Sequence, residues 1–172
     1  MIPTAVTERE ITRLSALAAG KRVLEVGSLL GFSTVHLARV AEVVHAVDPH
    51  EGYPQADPRP TLEPFIQNLV DADVRERVVV HVGTDAQVLP MLAPGSFDLV
   101  FIDITGLFWD TIHCMHRAVP LLRHTGVLAV HDCGHPEWPG VQQAVAQFAL
   151  ARDTAWEQID RLAIFEQTWG RR

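Results

Sequence analysis

Several residue types that would mark a particular class of protein are scarce in this sequence. Its 172 residues include two cysteines and one tyrosine, which excludes a framework of disulfide bonds and favours a reducing compartment such as the cytoplasm. No apolar run approaches the roughly 20 residues that cross a bilayer. Residues 1–10 lack the basic start and apolar stretch of a secretory signal. We therefore expect a cytoplasmic protein without a membrane partner.

Clustered positive charge is also missing. The chain has 14 lysines and arginines against 21 aspartates and glutamates, a formal net charge of −7. Binding to nucleic acid depends on clustered basic residues that follow the phosphates, whereas the basic residues here are scattered along the chain. We expect no nucleic-acid partner.

What the sequence does contain is an alternation of short apolar runs and amphipathic stretches, typical of a parallel sheet covered by helices. Strands are predicted over residues 22–26, 43–47, 78–82, 97–102 and 127–130, and two closing strands near 155–159 and 162–167. The closing strands are joined too tightly for a crossover helix. The prediction is a doubly wound α/β sheet of five parallel strands plus a C-terminal antiparallel hairpin, in one domain over residues 1–172.

Helical periodicity marks the segments between these strands. Helices are predicted over residues 6–19, from about residue 32, and over 65–72, 85–92, 108–122 and 139–151. Residues 52–64 contain four prolines and are predicted to form a loop. A loop of this length in a compact domain is often a lid or a binding element.

A glycine loop follows the first predicted strand and reads Glu25-Val-Gly27-Ser28-Leu-Leu-Gly31-Phe-Ser33. Glycine permits a tight turn and close backbone approach to a ligand, and the start of the next helix favours negative charge. The spacing is not the G-x-G-x-x-G pattern of dinucleotide sites, which argues against a nicotinamide-dependent oxidoreductase. The alternative is a purely structural turn, since glycine is routine in such loops.

An acidic residue, Asp48, ends the second predicted strand about 20 residues after the glycine loop. A carboxylate at this position can accept hydrogen bonds from both hydroxyls of a ribose. Pro49 and His50 follow it directly. An aspartate at a strand end can also be a simple turn former, but its distance from the glycine loop favours a nucleoside site.

A polar loop of Gly83, Thr84 and Asp85 follows the third predicted strand. One of its side chains could bind an adenine amino group. Thr84 or Asp85 could equally cap the next helix, and the two roles are compatible.

The longest set of motifs lies in residues 95–148, which contain GSFDLVFID, VPLLR, TGVLAVHD and GVQQAVAQF in that order. Together with the glycine loop and Asp48, these motifs resemble class I S-adenosylmethionine-dependent methyltransferases, in particular small bacterial enzymes related to catechol-type O-methyltransferases. The resemblance covers nearly all of residues 20–167. It implies a Rossmann-like fold, S-adenosylmethionine as cofactor and a small hydroxylated acceptor. The cofactor contacts that it implies, with those predicted above, are Glu25, Gly27, Ser28, Gly31, Ser33, Asp48, Pro49, His50, Gly83, Thr84, Asp85 and Asp103.

The resemblance also suggests residues for the reaction. Asp103 and Asp132 fall where catechol-type enzymes hold a divalent metal, which implies a site for an ion such as Mg²⁺. The chain departs from the pattern at Cys133, where asparagine is usual, and at Gly106, where a basic lysine is usual. His131 ends the fifth predicted strand, and an imidazole titrates near neutral pH, so His131 and Asp103 are the candidate catalytic residues.

Two questions stay open at this stage. The departures at Cys133 and Gly106 motivate an alternative function, a domain that binds S-adenosylmethionine without methyl transfer, as a partner subunit or in another reaction. Relatives often carry two or three helices before the glycine loop, whereas this chain has one. The acceptor site would then be open, covered by residues 52–64, or completed by the second subunit of a symmetric homodimer.

Overall fold

A computed structural model describes residues 2–52, 59–166 and 169. The α-helices are α1 (Glu8–Ala18), α2 (Phe32–Val40), α3 (Leu62–Asp71), α4 (Asp85–Val88), α5 (Phe108–Ala118) and α6 (Pro139–Arg152). The strands are β1 (Arg22–Val26), β2 (Val43–Asp48), β3 (Val78–Val82), β4 (Phe97–Ile102), β5 (Leu122–Val130), β6 (Glu157–Ile159) and β7 (Leu162–Glu166). Among the described residues, no helix combines the length and apolarity that a membrane span requires.

The strands form one sheet in the order β3-β2-β1-β4-β5-β7-β6. The first five are parallel to one another, and β7 is antiparallel to both β5 and β6. Parallel neighbours need a long crossover connection, which the intervening helices supply. The predicted doubly wound sheet with a closing hairpin is confirmed, and the structure adds that β7 lies between β5 and β6.

Several predicted boundaries differ from the structure, among them those of β5 and α3. Strand β5 begins at Leu122 instead of residue 127, because Phe97 pairs with Leu122 before a register shift sets the remaining pairs. Helix α3 begins at Leu62, so the predicted loop over 52–64 ends earlier. Pro64 is tolerated there because N–H groups in the first helical turn have no intrahelical partner. Residues 53–58 lie outside the described residues, and the lid stays a prediction.

The core is divided by the sheet. Successive residues of a strand point to opposite faces, and buried apolar side chains form one cluster on each face. Leu24 and Val100 belong to the cluster that contains α5 and α6. Val23 and Leu99 belong to the cluster that contains α1, α2 and α3. Because both faces are covered, polar side chains can gather in quantity only where the strands end.

Helix α1 is joined to the closing hairpin by ion pairs. Arg9 lies 2.5 Å from Asp160, and Arg13 contacts both Glu157 and Glu166. Exposed pairs of this kind contribute at most about 1 kcal/mol each. Their role is to fix where α1 lies, which matters for the site described below.

We expect Phe148→Ala to lower the free energy of unfolding by about 3–5 kcal/mol, because the ring is fully buried and its removal leaves a cavity. The ring packs against Phe165 at 5.5 Å between centroids. Leu150→Ala on the same helix is the control, since Leu150 is 84% exposed and should change stability by less than about 0.5 kcal/mol. Urea denaturation measures both; equal effects would contradict the described face of α6.

Candidate active site

The carboxyl ends of β2, β1, β4 and β5 lie side by side, because the parallel ladder continues one residue past β1, β4 and β5. The Gly27 N–H donates to Val47 O at 2.8 Å, and the Asp103 N–H donates to Val26 O at 2.8 Å. The His131 N–H in turn donates to Ile102 O at 2.9 Å. The glycine loop, Asp48, Asp103 and His131 are therefore neighbours along one edge. This edge agrees with the rule that open α/β sheets bind ligands beyond the carboxyl ends of their strands.

Gly27 is required by close backbone contact. Its φ is +92°, and a Cβ atom built on it would lie 1.8 Å from the carbonyl oxygen of Asp103. Gly31, with φ +88°, is the N-cap of α2, and in the described part of the chain no side chain caps this helix end. The backbone N–H groups of the first turn of α2 are thus left for an anionic group.

Glu25 is completely buried beneath the start of α2. Its carboxylate accepts hydrogen bonds from the hydroxyls of Ser33 and Thr34. Burial raises the pKa of Glu25 to about 7, against the opposing effect of the two hydroxyls. The structure thus brings two predicted cofactor residues, Glu25 and Ser33, together directly.

Asp48 organises the glycine loop through its carboxylate. One oxygen accepts the N–H groups of Ser28 at 3.0 Å and Leu29 at 2.8 Å, and the other accepts the N–H of His50 at 2.7 Å. Leu29 and His50 have φ values of 44° and 55°, which are uncommon for residues with a side chain. Asp48 therefore stabilises two unfavourable backbone conformations in addition to presenting a carboxylate.

Two buried polar atoms beside Asp48, Ser28 Oγ and His50 Nε2, have no hydrogen-bond partner among the described residues. The other ring nitrogen of His50 lies 2.9 Å from Thr61 Oγ1. Buried polar atoms are normally satisfied, so two orphans around one carboxylate indicate a polar ligand. A ribose, with two vicinal hydroxyls, has the donors and acceptors that fit this set. Pro49, between Asp48 and His50 in the sequence, is exposed.

The loop after β3 lies beside this set, since the Gly83 N–H donates to Asp48 O at 3.0 Å. Thr84 is the N-cap of α4 and forms a capping box with Gln87, which confirms the structural role predicted for it. Asp85 pairs with Arg117 at 2.7 Å. The role of this loop in binding adenine remains a prediction.

The other half of the edge is a cluster of charged side chains around His131. Its Nδ1 lies 3.2 Å from an oxygen of Asp103 and 3.5 Å from one of Asp132. Its Nε2 lies 3.2 Å from an oxygen of Glu10, which comes from α1. The side chains of His131 and Glu10 are 1% and 0% exposed, whereas that of Asp103 is 27% exposed. Asp103 is thus the member that a ligand reaches most easily.

The sequence profile of a family described as "Methyltransferase domain" matches residues 24–133, well over half of the chain. The chain belongs to this family of methyltransferase domains. The predicted class I S-adenosylmethionine-dependent methyltransferase fold is confirmed.

Individual relatives agree with the family. The domain is 44% identical over 119 residues to a catechol O-methyltransferase of Mycobacterium tuberculosis (strain ATCC 25618 / H37Rv), a match that covers 69% of this chain and 51% of the relative. The chain thus spans about half the length of that curated relative. Cofactor-bound Rv0187 from MTB is 29% identical with a TM-score of 0.73, covering 95% of this chain and 82% of that one. The O-methyltransferase TomG from Streptomyces achromogenes, in complex with SAM, shares the fold at 22% identity, with a TM-score of 0.69 and coverage of 96% and 82%.

The electrostatics of this methyltransferase domain correct one expectation, that His131 titrates near neutral pH. Burial alone would lower the pKa of His131, but hydrogen bonds to Asp103 and Glu10 outweigh it and raise the pKa to about 10. For Glu10, burial would raise the pKa, but hydrogen bonds from His131 and the backbone lower it to about 2. At neutral pH His131 is therefore an imidazolium and not a free base.

Glu10 was not among the predicted site residues. It accepts the N–H of Thr7 at 2.7 Å within a capping box, and the N–H of Arg161 at 2.7 Å from the hairpin. One signal was available in the sequence: Glu10 follows Val6 and precedes Leu14 by four residues each, so a charge lies within the apolar stripe of the helix. Its partner is 121 residues away, which helical spacing cannot indicate.

The lysine that is usual in catechol-type enzymes would not fit at the position of Gly106. A Cβ atom at Gly106 would lie 2.2 Å from the indole ring of Trp138, so the loop after β5 occupies the space of any side chain. His113 and His116 lie on the exposed face of α5.

The donor set around Asp103 does not fit Mg²⁺ well. Ligand atoms of Asp103, His131 and Asp132 lie within 4.8 Å of one another, a spacing at which they could share an ion. Magnesium, however, takes a near-octahedral set of oxygen ligands, and both nitrogens of His131 face carboxylates. Cys133, at the position of the usual asparagine, is buried and directs its thiol to Gln158 at 3.7 Å. The predicted metal role of Asp103 and Asp132 therefore disagrees with the chemistry of their neighbours.

The buried pair of Glu10 and His131 makes stability depend on pH. The lowered pKa of Glu10 means that its contribution is full above about pH 4.5 and is lost towards pH 2. The raised pKa of His131 means that its contribution is full below about pH 6.5 and is lost as the pH rises to about 10. We expect the difference in unfolding free energy between wild type and Glu10→Gln to be largest between pH 4.5 and 6.5.

Urea denaturation over a series of pH values measures this difference. Glu8→Gln on the same helix is the control, because Glu8 is exposed and its effect should vary little with pH. A difference for Glu10→Gln that is flat across the series would show that the pair does not carry opposite charges in the folded state.

Proposed function

We propose that this domain transfers a methyl group from S-adenosylmethionine to an oxygen of a small hydroxylated molecule. The observation that carries the proposal is the meeting of a ribose-compatible polar set around Asp48 with an accessible carboxylate, Asp103, at one edge of a methyltransferase-family sheet. S-adenosylmethionine, when bound, supplies an electrophilic methyl group on its sulfonium. The similarity to a catechol O-methyltransferase supports oxygen as the acceptor atom.

Two parts of the edge would hold the cofactor. Asp48, with Ser28 and His50 beside it, would bind the ribose, because these groups supply a carboxylate and two unsatisfied polar atoms. The uncapped start of α2 would bind the carboxylate of the methionine moiety, with Ser33 and the buried Glu25 behind it. The complete proposed set is Glu25, Gly27, Ser28, Gly31, Ser33, Asp48, Pro49, His50, Gly83, Thr84, Asp85 and Asp103.

Asp103 and His131 would carry the reaction. The Asp103 carboxylate would accept a hydrogen bond from the acceptor hydroxyl and take its proton as the new oxygen–carbon bond forms and the sulfur–carbon bond breaks. His131 would hold Asp103 in place through the 3.2 Å hydrogen bond. Positioning of this kind can account for much of the rate when it aligns the nucleophile with the methyl group.

The proposed acceptor class rests on two tryptophans at the loop between β4 and α5. Trp138 covers Gly106 in the adjoining loop, and Trp109 is 65% exposed at the start of α5. Exposed aromatic rings at a site favour flat, partly apolar ligands. The net charge of −7 argues against a nucleic-acid acceptor. A phenol or catechol-like molecule fits these features best.

The predictions of a cytoplasmic location, of one domain over residues 1–172 and of a symmetric homodimer are kept as part of this proposal. The two cysteines, Cys114 and Cys133, are buried free thiols, which suits a reducing compartment. A homodimer remains the default expectation because two-fold pairing is the commonest oligomeric arrangement.

We expect Asp48→Asn to weaken binding of S-adenosylmethionine strongly, because it removes the charged acceptor for the ribose hydroxyls. A hydrogen bond to a charged group contributes about 1.5–3 kcal/mol, which corresponds to roughly a 10- to 150-fold rise in Kd. Isothermal titration calorimetry measures this value. Asp71→Asn, an exposed residue of α3, should leave Kd unchanged. Equal Kd values for wild type and Asp48→Asn would remove the basis for the proposed ribose contact.

We expect Asp103→Asn to lower kcat for methylation by about 100-fold or more, the usual size of a general-base contribution, with a smaller effect on cofactor affinity. The assay follows transfer of labelled methyl from S-adenosylmethionine to phenols and catechols, with Asp71→Asn again as the control. If the wild type binds the cofactor yet methylates no phenol, catechol, sugar or polyketide, cofactor binding without methyl transfer becomes the better account.

A further inference from the structure

Three carboxylates surround a single imidazole ring at the reactive end of the sheet. Glu10, Asp103 and Asp132 each place an oxygen 3.2–3.5 Å from a nitrogen of His131. They come from three separate elements, namely α1, the loop after β4 and the loop after β5. Glu10 is fully buried, whereas Asp103 and Asp132 are partly exposed. Carboxylates held this close together are stabilised by a cation at their centre.

The donor and acceptor roles of the two ring nitrogens of His131 identify that cation. An ionised carboxylate can only accept hydrogen bonds, whereas a neutral imidazole has one donor nitrogen and one acceptor nitrogen. Nδ1 of His131 faces Asp103, and Nε2 faces Glu10. Both nitrogens must therefore donate, and the ring between these carboxylates is a doubly protonated imidazolium.

We propose that the imidazolium of His131, anchored by Glu10, takes the place of the divalent cation between Asp103 and Asp132, so that this methyltransferase works without a metal. That His131 is the cation between the aspartates is inferred from its contacts alone. That methyl transfer proceeds without a metal rests also on the proposed function. In this arrangement His131 and Glu10 are positioning residues, and Asp103 is the group that touches the acceptor.

A metal ion would have to break the observed contacts in order to bind. To use Nδ1 as a ligand, an ion would displace its proton and its hydrogen bond to Asp103. To use the two aspartates alone, it would lie next to a buried positive charge. Cys133 offers no compensation, because its thiol faces Gln158 and not the aspartates.

Glu10 is suited to anchoring the ring because its own position is fixed on two sides. Its carboxylate accepts the backbone N–H groups of Thr7 and Arg161, each at 2.7 Å. The oxygen that accepts from Thr7 also lies 3.2 Å from Nε2 of His131, and the other oxygen accepts from Arg161. The ring is then oriented with Nδ1 towards Asp103, which leaves the other oxygen of Asp103 for an acceptor hydroxyl.

Electron paramagnetic resonance of Mn²⁺ tests the proposal without any assay of activity. Mn²⁺ prefers the same oxygen ligands as Mg²⁺, and its free signal disappears on binding. We expect the wild-type protein at neutral pH to leave the signal unchanged. His131→Asn removes the cation but keeps both aspartates, and it should bind one Mn²⁺ per chain; Asp132→Asn added to it should abolish that binding. His113→Asn, on the exposed face of α5, is the matched control and should behave as wild type.

Stoichiometric binding of Mn²⁺ by the wild type, lost in Asp132→Asn, would overturn the proposal. Absence of binding in a folded His131→Asn variant would also contradict it, since the aspartates would then form no cation site even without the ring. The wild-type titration needs no variant, so the proposal is testable even if His131→Asn does not fold.

An activity assay tests separately whether methyl transfer needs a metal. Methylation in excess EDTA should proceed at the rate seen with Mg²⁺, and Glu10→Gln should lower kcat at least 10-fold with little change in KM for the acceptor, while Glu8→Gln changes neither. A rate that falls in EDTA and returns with Mg²⁺ would refute metal independence. If no acceptor is methylated at all, the proposed function fails, and the Mn²⁺ titration still decides whether His131 fills the cation position.

Discussion

The site depends on the register of the parallel ladder between β1, β4 and β5. The hydrogen bonds from Asp103 N–H to Val26 O and from His131 N–H to Ile102 O extend this ladder by one residue beyond the strands. Gly27 is in contact with the same stretch, because any side chain there would overlap the carbonyl of Asp103. A shift of one residue in either pairing would turn Asp103 or His131 towards the opposite face of the sheet. Backbone pairing, and not side-chain contact, thus sets the distances on which the chemistry depends.

Charge balance is the second constraint, and it connects distant parts of the chain. A carboxylate as deeply buried as that of Glu10 is costly unless it is paired and hydrogen-bonded, and here it has both compensations. The same contact makes α1 part of the site, because the helix supplies the counter-ion of His131. The ion pairs between α1 and the hairpin then act on the site indirectly, by fixing where α1 lies.

Much of this architecture follows from the sequence, and the exceptions have a common physical cause. Local apolar runs predict the central strands because buried parallel strands need continuous hydrophobicity, and the bounds of β1, β3 and β4 agree with the structure. The glycine loop and Asp48 are found from short spacings. Glu10 and the packing of Trp138 on Gly106 are not, because both are contacts between segments far apart in sequence. The shift in the pKa of His131 depends on those contacts, so a near-neutral histidine was the natural but wrong expectation.

The replacement of a metal by an imidazolium would change how the site can be regulated. A divalent ion exchanges with the solvent, so the occupancy of its site depends on the concentration of free ion. A histidine held by Glu10 is present whenever the chain is folded. Its charge depends instead on the geometry of α1 and of the hairpin that carries Arg161. A movement of α1 that lengthens the contact between Glu10 and His131 would weaken the hold on Asp103 at the same time. The position of the N-terminal helix would then affect the orientation of Asp103, the proton acceptor. A metal ion bound only by Asp103 and Asp132 would have no such link to α1.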